Sequence, residues 1–343
     1  MKLIIALTFL GVALTLACSP TGFHSSKDLS SPTDANHVID GEIIMSRANQ
    51  TEKSVVAVEL FDRNQSVLTY CTGTLIGPNT VLTAAHCFNS KLLPGVIGFN
   101  IVFETRTKFY DPIRRSGFKF AQHPQYDSTP KEWYFSNGEY FDLKKHPEAR
   151  ANRGEIKLIP QNDHDLAVAV FNGSLPPGFE LAVIDTDAHA NYAGLVTQFY
   201  GYGRAVDYFD AKGRYDTSTG QLRKGTAIVD SDFSENEDRF YTKKNSKNWV
   251  CQGDSGGPQF ITDRNGNKKI IGVNSGVGVN EASVRKVTDI ENNRYNASNP
   301  ESQKSYRDVL YSCRERSQIA KVGAFADWIK REEQRLLSQL PGK

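Results

Sequence analysis

Residues 253–258 read Gly-Asp-Ser-Gly-Gly-Pro and place one serine hydroxyl among glycines. Because glycine has no side chain, backbone amides can approach such a hydroxyl closely and can bind an oxyanion that forms beside it. The stretch is therefore typical of an acyl-transfer site with Ser255 as the nucleophile. A glycine-rich surface turn that happens to contain serine is the alternative, and other residues must decide between them.

A serine hydroxyl is a weak nucleophile at neutral pH, so it needs a base, and the base needs a carboxylate that fixes its tautomer. His86 follows the small residues Thr-Ala-Ala, and Asp165 opens the apolar run Asp-Leu-Ala-Val-Ala-Val. Asp163 is a rival acid, but Asp165 stands directly before the strand-like run. His164 is interpreted as a local polar contact.

The order of these groups along the chain excludes a second class of hydrolase. A Gly-x-Ser-x-Gly sequence also marks the nucleophile of α/β-hydrolases, in which the acid and then the histidine follow the serine. All seven histidines of this chain precede Ser255, and His189 is the last of them. The order His, Asp, Ser is that of a different triad.

With these motifs the chain resembles the trypsin-like (chymotrypsin) family of serine endopeptidases, in its bacterial exported form. The matching pieces occur in the family's order: Val-Ile-Asp-Gly at 38–41, Cys-Thr-Gly-Thr-Leu-Ile at 71–76, the His86 and Asp165 motifs, Gly-Tyr-Gly at 201–203, the Ser255 motif and Trp-Ile at 328–329. The resemblance implies an all-β fold of two antiparallel six-stranded β-barrels (chymotrypsin-like) with a C-terminal α-helix. It also implies protein or peptide substrates, with no cofactor and no metal.

The resemblance assigns roles to individual residues. Ser255 attacks the scissile carbonyl, His86 acts as base and then acid, and Asp165 holds the imidazole, while the amides of Gly253 and Ser255 form the oxyanion hole. The substrate pocket is expected at Trp249, Val250, Gln252, Ser275, Gly276 and Val277. Trypsins carry Asp where Trp249 stands and Ser-Trp-Gly where 275–277 read Ser-Gly-Val. We therefore expect a constricted pocket that prefers small apolar side chains, not Lys or Arg.

Residues 1–17 predict an export signal, because one lysine precedes an apolar run that is too short to span a bilayer. Residues 15–18, Thr-Leu-Ala-Cys, resemble a bacterial lipobox with two positions exchanged. We expect Cys18 to be lipidated and to attach the protein to the cell envelope or outer membrane. Ordinary cleavage and a secreted product are the alternative.

Cysteine usage agrees with export, which implies an oxidising compartment. The chain has five cysteines, and lipidation of Cys18 would leave an even number for disulfides. The family resemblance selects the pairs Cys71 with Cys87 and Cys251 with Cys313. Unpaired buried cysteines are the alternative.

Residues 18–37 are polar and aperiodic and are interpreted as a tether or propeptide before a peptidase domain at 38–343. In the family, a new α-ammonium group at the position of Val38 pairs with the acid at the position of Asp254 and orders the oxyanion hole. We expect a zymogen that is cut between His37 and Val38. No basic residue precedes the cut, so a separate activating protease is expected.

Apolar, β-branched runs at 54–60 and 67–76 flank a polar turn and predict a hairpin. Residues 205–248 are polar, have few strong strand signals and are expected to hold variable surface loops. The apolar stripe from Val322 to Leu340 predicts a C-terminal helix that docks on the domain, with a membrane-surface helix as the alternative.

Two segments exceed what the family needs. The aromatic-rich segment 127–158 is expected to pack on the barrel surface, with substrate contact as the alternative, and segment 279–312 is expected at the rim of the pocket. A net charge of only +2 gives no reason to expect nucleic-acid binding. A monomer is expected. A non-catalytic binding protein on a protease-like scaffold and an anchored envelope component that acts through these segments remain alternatives.

Overall fold

The computed structural model describes most of the chain beyond residue 37. The described residues are 38–108, 111–128, 164–205, 219–230, 238–243, 245–277, 313–314 and 316–341, together with the backbone of Lys131–Ser136, Glu139–Asp142 and Glu155–Ile159. The predicted export signal with Cys18, the tether at 18–37 and the insertion at 279–312 lie outside them.

Strands dominate the described chain, as expected for an all-β protein. In chain order they are β1 (Glu42–Ile43), β2 (Val55–Phe61), β3 (Val67–Gly77), β4 (Thr80–Thr83), β5 (Gly98–Val102), β6 (Arg114–Gln122), β7 (Lys131–Ser136), β8 (Glu139–Asp142), β9 (Glu155–Ile159), β10 (Ala167–Phe171), β11 (Val183–Ile184), β12 (Val196–Gly201), β13 (Arg223–Ile228), β14 (Arg239–Tyr241), β15 (Pro258–Thr262), β16 (Lys268–Val277) and β17 (Ser317–Lys321). The helices are α1 (Gln50–Ser54) and α2 (Ala326–Leu337), and two 3₁₀ turns span Ala85–Phe88 and Gly323–Phe325.

Six antiparallel strands close the first barrel in the order β10-β4-β3-β2-β5-β6. Strand β2 reads Val-Val-Ala-Val-Glu-Leu-Phe, and its β-branched side chains favour a pleated strand that is buried along nearly its whole length. The Asp62 carboxylate accepts the N–H groups of Asn64 and Ser66 at 2.8 and 2.9 Å and so stabilises the turn that follows. Strands β2 and β3 pair antiparallel across this turn, which confirms the predicted hairpin.

The second sheet has the order β1-β13-β12-β15-β16-β17-β14, with β11 beside β16. The chain segments that directly follow β13 and β14 lie beside each other, and Val229 and Thr242 form an antiparallel bridge there. The Asp230 N–H also donates to the Tyr241 carbonyl at 2.7 Å. The six strands from β13 to β14 therefore close a second barrel, and the predicted pair of six-stranded barrels is confirmed.

Strands β13 and β14 lie within 205–248, a range with few strong strand signals that is expected to hold surface loops. The buried positions of β13 are Arg223, Gly225 and Ala227, which alternate with half-buried neighbours. Arginine, glycine and alanine carry little of the hydrophobic signal on which a strand prediction depends. The period of two is present, but large apolar residues do not mark it.

The C-terminal helix α2 follows the last strand of the second barrel but packs against β10 and β6 of the first. It buries an apolar stripe that includes Trp328, Ile329 and Leu336. The docking helix is therefore confirmed, and the alternative of a membrane-surface helix was wrong because this stripe is covered by the barrel. Within the described ranges, no helix has both the length and the apolar character needed to cross a membrane.

Two disulfides join Cys71 to Cys87 and Cys251 to Cys313, which confirms both predicted pairs. Strands β7, β8 and β9, in the segment expected as an insertion at 127–158, form a separate three-stranded sheet in the order β8-β7-β9. Their side chains lie outside the described residues, so the role of the aromatic residues there stays a prediction.

Candidate active site

Strand pairing in the first barrel brings His86 to Asp165. Strands β4 and β10 run antiparallel with Thr83 opposite Ala167, so the chain leaving β4 lies beside the chain entering β10. His86 is in the 3₁₀ turn after β4, and Asp165 is two residues before β10. The Asp165 Oδ1 accepts the backbone N–H of His86 at 2.8 Å, and its Oδ2 lies 2.7 Å from His86 Nδ1. These two contacts fix the orientation of the imidazole.

Asp165 has a third partner from the other barrel. The hydroxyl of Ser275, in β16, donates to Asp165 Oδ2 at 2.5 Å. The Asp165 carboxylate is fully buried, and a buried carboxylate needs several donors to offset the loss of water. The sequence resemblance placed Ser275 in the substrate pocket and gave no sign of this contact.

The environment of His86 raises its pKa. Burial lowers the pKa of the imidazole, but the charge of Asp165 and the hydrogen bond to it raise the pKa. Together these two effects outweigh burial, and the pKa of His86 lies above its ordinary value of 6.5. Proton uptake by His86 is thus favoured, as a base that accepts a hydroxyl proton requires.

The other half of the site is the loop around Ser255, whose backbone carbonyls all have donors. Four consecutive peptide groups link residues 252–256. Their carbonyl groups accept as follows: Gln252 from the Arg204 N–H at 2.9 Å, Gly253 from the Thr72 hydroxyl at 2.8 Å, Asp254 from the Gly257 N–H at 2.9 Å, and Ser255 from the Thr72 N–H at 2.7 Å. The loop is therefore held in one conformation from several sides.

The N–H groups of the same peptides behave differently. Asp254 donates to the Cys251 carbonyl at 3.0 Å and Gly256 donates to the Asn274 carbonyl at 2.7 Å. The N–H groups of Gly253 and Ser255 donate to none of the described residues. Backbone donors in folded proteins are nearly always paired, so two unpaired donors in the loop that carries Ser255 mark a place where a ligand oxygen can bind.

Two glycines in this loop have positive φ and have no room for a side chain. Gly253 has φ +97°, and an added Cβ would lie 2.8 Å from the Gly203 Cα. Gly256 has φ +83°, and its Cβ would lie 2.2 Å from the Thr72 carbonyl oxygen and 2.9 Å from the Ala84 nitrogen. The closeness of Gly256 to Ala84 shows that the Ser255 loop lies against the chain just before His86.

Ser255 is half-buried, and its hydroxyl makes no hydrogen bond to His86 or to any other described residue. The structure thus joins His86 to Asp165 and brings the serine loop beside them, without the final serine to histidine bond. Catalytic hydrogen bonds in ligand-free sites are often long and tighten when substrate binds.

Asp254 and Val38, the predicted activation pair, are both buried but are not joined by a hydrogen bond in the described structure. The Asp254 carboxylate accepts the N–H groups of Gly203 and Cys251 at 2.8 and 2.9 Å. Burial raises the pKa of Asp254 to about 7, against the lowering effect of these bonds and of Arg223. Val38 packs in an apolar cluster with three residues of the second barrel, Phe199, Ala227 and Val250.

The predicted pocket residues are engaged in different ways. Trp249 is half-buried, with the Arg314 guanidinium 4.9 Å from its ring centroid. The exposed Gln252 accepts from Arg204 Nε at 3.0 Å, and Gly276 is partly exposed. The buried Val250 packs against Val38, and the side chain of Val277 lies outside the described residues. The preference for small apolar side chains therefore stays a prediction.

His164 makes local contacts, as interpreted from the sequence. Its ring stacks on that of His123 with centroids 5.2 Å apart, and its Nε2 lies 3.7 Å from Asp238. Asp163 lies outside the described residues. Nitrogen and sulfur atoms of Cys71, His86 and Cys87 lie within 4.8 Å of one another, but both sulfurs are in the disulfide and are not thiolate ligands.

Two β-barrels that bring a histidine and aspartate pair to a glycine-bounded serine define a class, the serine peptidases with a chymotrypsin-like fold. The family model of trypsin matches residues 43–296, and the chain belongs to this family. A search of curated proteins found no match. The protein is thus a serine peptidase in the general sense of its family, with protein or peptide substrates.

Proposed function

We propose that the protein is a serine endopeptidase that works through a His86–Asp165–Ser255 triad and an acyl-enzyme. The Ser255 Oγ attacks the scissile carbonyl carbon while His86 Nε2 takes the hydroxyl proton. The carbon–nitrogen bond then breaks, and His86 gives the proton to the leaving amine. Water, activated by the same base, hydrolyses the Ser255 ester and restores the hydroxyl. Asp165 holds Nδ1–H of the imidazole throughout and stabilises its positive charge.

One observation carries this proposal: the N–H groups of Gly253 and Ser255 have no acceptor among the described residues, while those of Asp254 and Gly256 are paired. The tetrahedral intermediate has an oxyanion that needs such donors, and losing one typically costs about 10²- to 10³-fold in kcat. A degenerate scaffold that only binds partners has no need to keep these two donors unpaired.

A fluorophosphonate probe tests the proposal directly, because it reacts only with an activated serine. The protein processed to begin at Val38 is expected to bind one equivalent of the probe, and Ser255→Ala processed in the same way is expected to bind none. If the folded wild-type protein takes up no probe in either its uncut or its processed form, the protein is a binding module on a peptidase scaffold.

Activity is expected to fall on the acid side with a midpoint above pH 6.5, since the pKa of His86 is raised from its ordinary value of 6.5. Only the neutral imidazole accepts the serine proton, so a raised pKa moves the loss of activity to higher pH. The check is a profile of kcat/KM against pH with a neutral peptide substrate. A midpoint below that value would contradict the role of Asp165 in raising the pKa of His86.

We also propose that the chain is exported, lipidated at Cys18 or secreted, and activated by another protease between His37 and Val38. In the uncut chain Val38 has φ +48°, a strained conformation for a β-branched residue. Cleavage would relieve this strain and supply an α-ammonium group for Asp254, whose pKa is raised to about 7 by burial.

Mass spectrometry of the N-terminus in active material tests this processing. We expect active molecules to begin at Val38 and unprocessed ones to carry a lipid on Cys18. Full activity in molecules that retain residues before Val38 would refute activation by this cut.

A further inference from the structure

Thr72 is a residue of the first barrel that makes three hydrogen bonds to the second. It lies in β3 and is fully buried. Its N–H donates to the Ser255 carbonyl at 2.7 Å, and its hydroxyl donates to the Gly253 carbonyl at 2.8 Å. The same hydroxyl accepts the Tyr202 N–H at 3.0 Å. No role for Thr72 follows from the triad or from the pocket.

The carbonyls that Thr72 holds belong to peptides next to the two unpaired N–H groups. We propose that Thr72 is a positioning residue of the oxyanion hole, which keeps the N–H groups of Gly253 and Ser255 directed at one point beside the Ser255 hydroxyl. This role rests on the proposed function, since the oxyanion hole is part of it.

The physical reason is the freedom of glycine. Gly253 has a wide range of accessible backbone angles and sits at φ +97°, so only its hydrogen bonds define the direction of its N–H. On one side, the Gln252 carbonyl is held by the Arg204 N–H at 2.9 Å. On the other side, the Gly253 carbonyl depends on the Thr72 hydroxyl. Without that hydroxyl, the peptide after Gly253 is held only through the Asp254 N–H, which donates to the Cys251 carbonyl at 3.0 Å, and the Gly253 carbonyl has no donor. The direction of the N–H before Gly253 is then less tightly fixed.

Thr72 is itself fixed relative to His86. The Thr83 hydroxyl donates to the Thr72 carbonyl at 2.8 Å, and Thr83 ends β4, three residues before His86. The hydrogen bonds of Thr72 to Thr83, Gly253 and Ser255 therefore link the chain that carries the base to the loop that carries the oxyanion donors. A hydroxyl at position 72 is needed for this, whereas its methyl group is not.

The test compares Thr72→Val with Thr72→Ser in the full chain, each processed like the wild type. Valine keeps the shape and the backbone N–H but removes the hydroxyl, and serine restores the hydroxyl. Thr80→Val is the matched control, because Thr80 is buried in the same barrel and its hydroxyl has no hydrogen-bond partner in the described structure. We measure kcat and KM for a peptide substrate, with active sites counted by the extent of fluorophosphonate labelling.

Thr72→Val is expected to lower kcat by about 10- to 100-fold, a part of the loss that follows from deleting an oxyanion donor, with KM changed by less than about twofold. Thr72→Ser and Thr80→Val are expected to keep kcat within about threefold of the wild type. A crystal structure of Thr72→Val should show the Gly253 carbonyl turned from its wild-type direction, and this readout does not depend on activity.

The inference fails if Thr72→Val keeps wild-type kcat per labelled site, if Thr72→Ser loses as much as valine, or if the Gly253 peptide is unmoved in the crystal structure. A purely structural role would reduce the number of labelled sites and leave kcat per site intact. If the wild type neither labels nor hydrolyses, the proposed function itself is wrong, and the oxyanion role falls with it.

Discussion

Ser255→Ala is expected to lower kcat by on the order of 10⁶-fold while KM stays close to that of the wild type, on the precedent of an analogous triad. The change removes the hydroxyl oxygen that is the nucleophile in the proposed mechanism. The Gly253 and Ser255 backbone donors remain, so substrate binding and a small residual rate over water are retained. Steady-state kinetics on a peptide substrate, at matched protein concentration, measure the effect.

Two observations complete this test. Ser338→Ala is the matched control, because Ser338 is exposed at the end of α2 and its hydroxyl only bonds to the Arg335 carbonyl. It is expected to leave kcat unchanged. Persistent hydrolysis by pure Ser255→Ala, at more than about a thousandth of the wild-type rate, would mean that another residue is the nucleophile.

Asp165→Asn is expected to lower kcat by about 10⁴-fold, as in the analogous triad. Asp165 Oδ1 accepts from the His86 backbone N–H, and Oδ2 contacts His86 Nδ1. Asparagine has one oxygen, which the backbone N–H will retain, so its NH₂ group faces Nδ1. The imidazole must then carry its proton on Nε2, where it cannot accept the Ser255 proton.

The matched comparison is Ser275→Ala, which removes one donor to Asp165 and leaves the imidazole in its correct tautomer. We expect a much smaller loss of kcat than for Asp165→Asn. In Asp165→Asn the pKa of His86 should also fall, because the carboxylate that raises it is gone. Equal losses for the two variants would show that packing around residue 165, not the tautomer of His86, determines activity.

The sequence alone located the short motifs that form the candidate site. The Ser255 loop, the His86 turn and the Asp165 strand are each continuous segments, and their order excluded a rival fold. The hairpin of β2 and β3 and the stripe of α2 have strong periodic signals, so both were predicted correctly. The two disulfides followed from family resemblance, not from spacing.

The rest depends on contacts between distant segments. The hydrogen bond from Ser275 to Asp165 joins residues 110 positions apart, and that from Thr72 to Gly253 joins residues 181 positions apart. Threonine and serine are common on any strand, so nothing in their type marks these two. Strand β13 was missed because a strand whose buried face presents arginine, glycine and alanine does not look apolar.

The position of α2 has a consequence for the order of folding. Helix α2 follows all of the described strands in the chain, yet it covers β10 and β6 of the half that is synthesised first. Until α2 is synthesised, the first barrel exposes the apolar face that α2 covers in the folded protein. Such a face promotes aggregation unless a chaperone binds it. A nascent chain that stalls before Trp328 is therefore left unfinished in its first half as well as in its last.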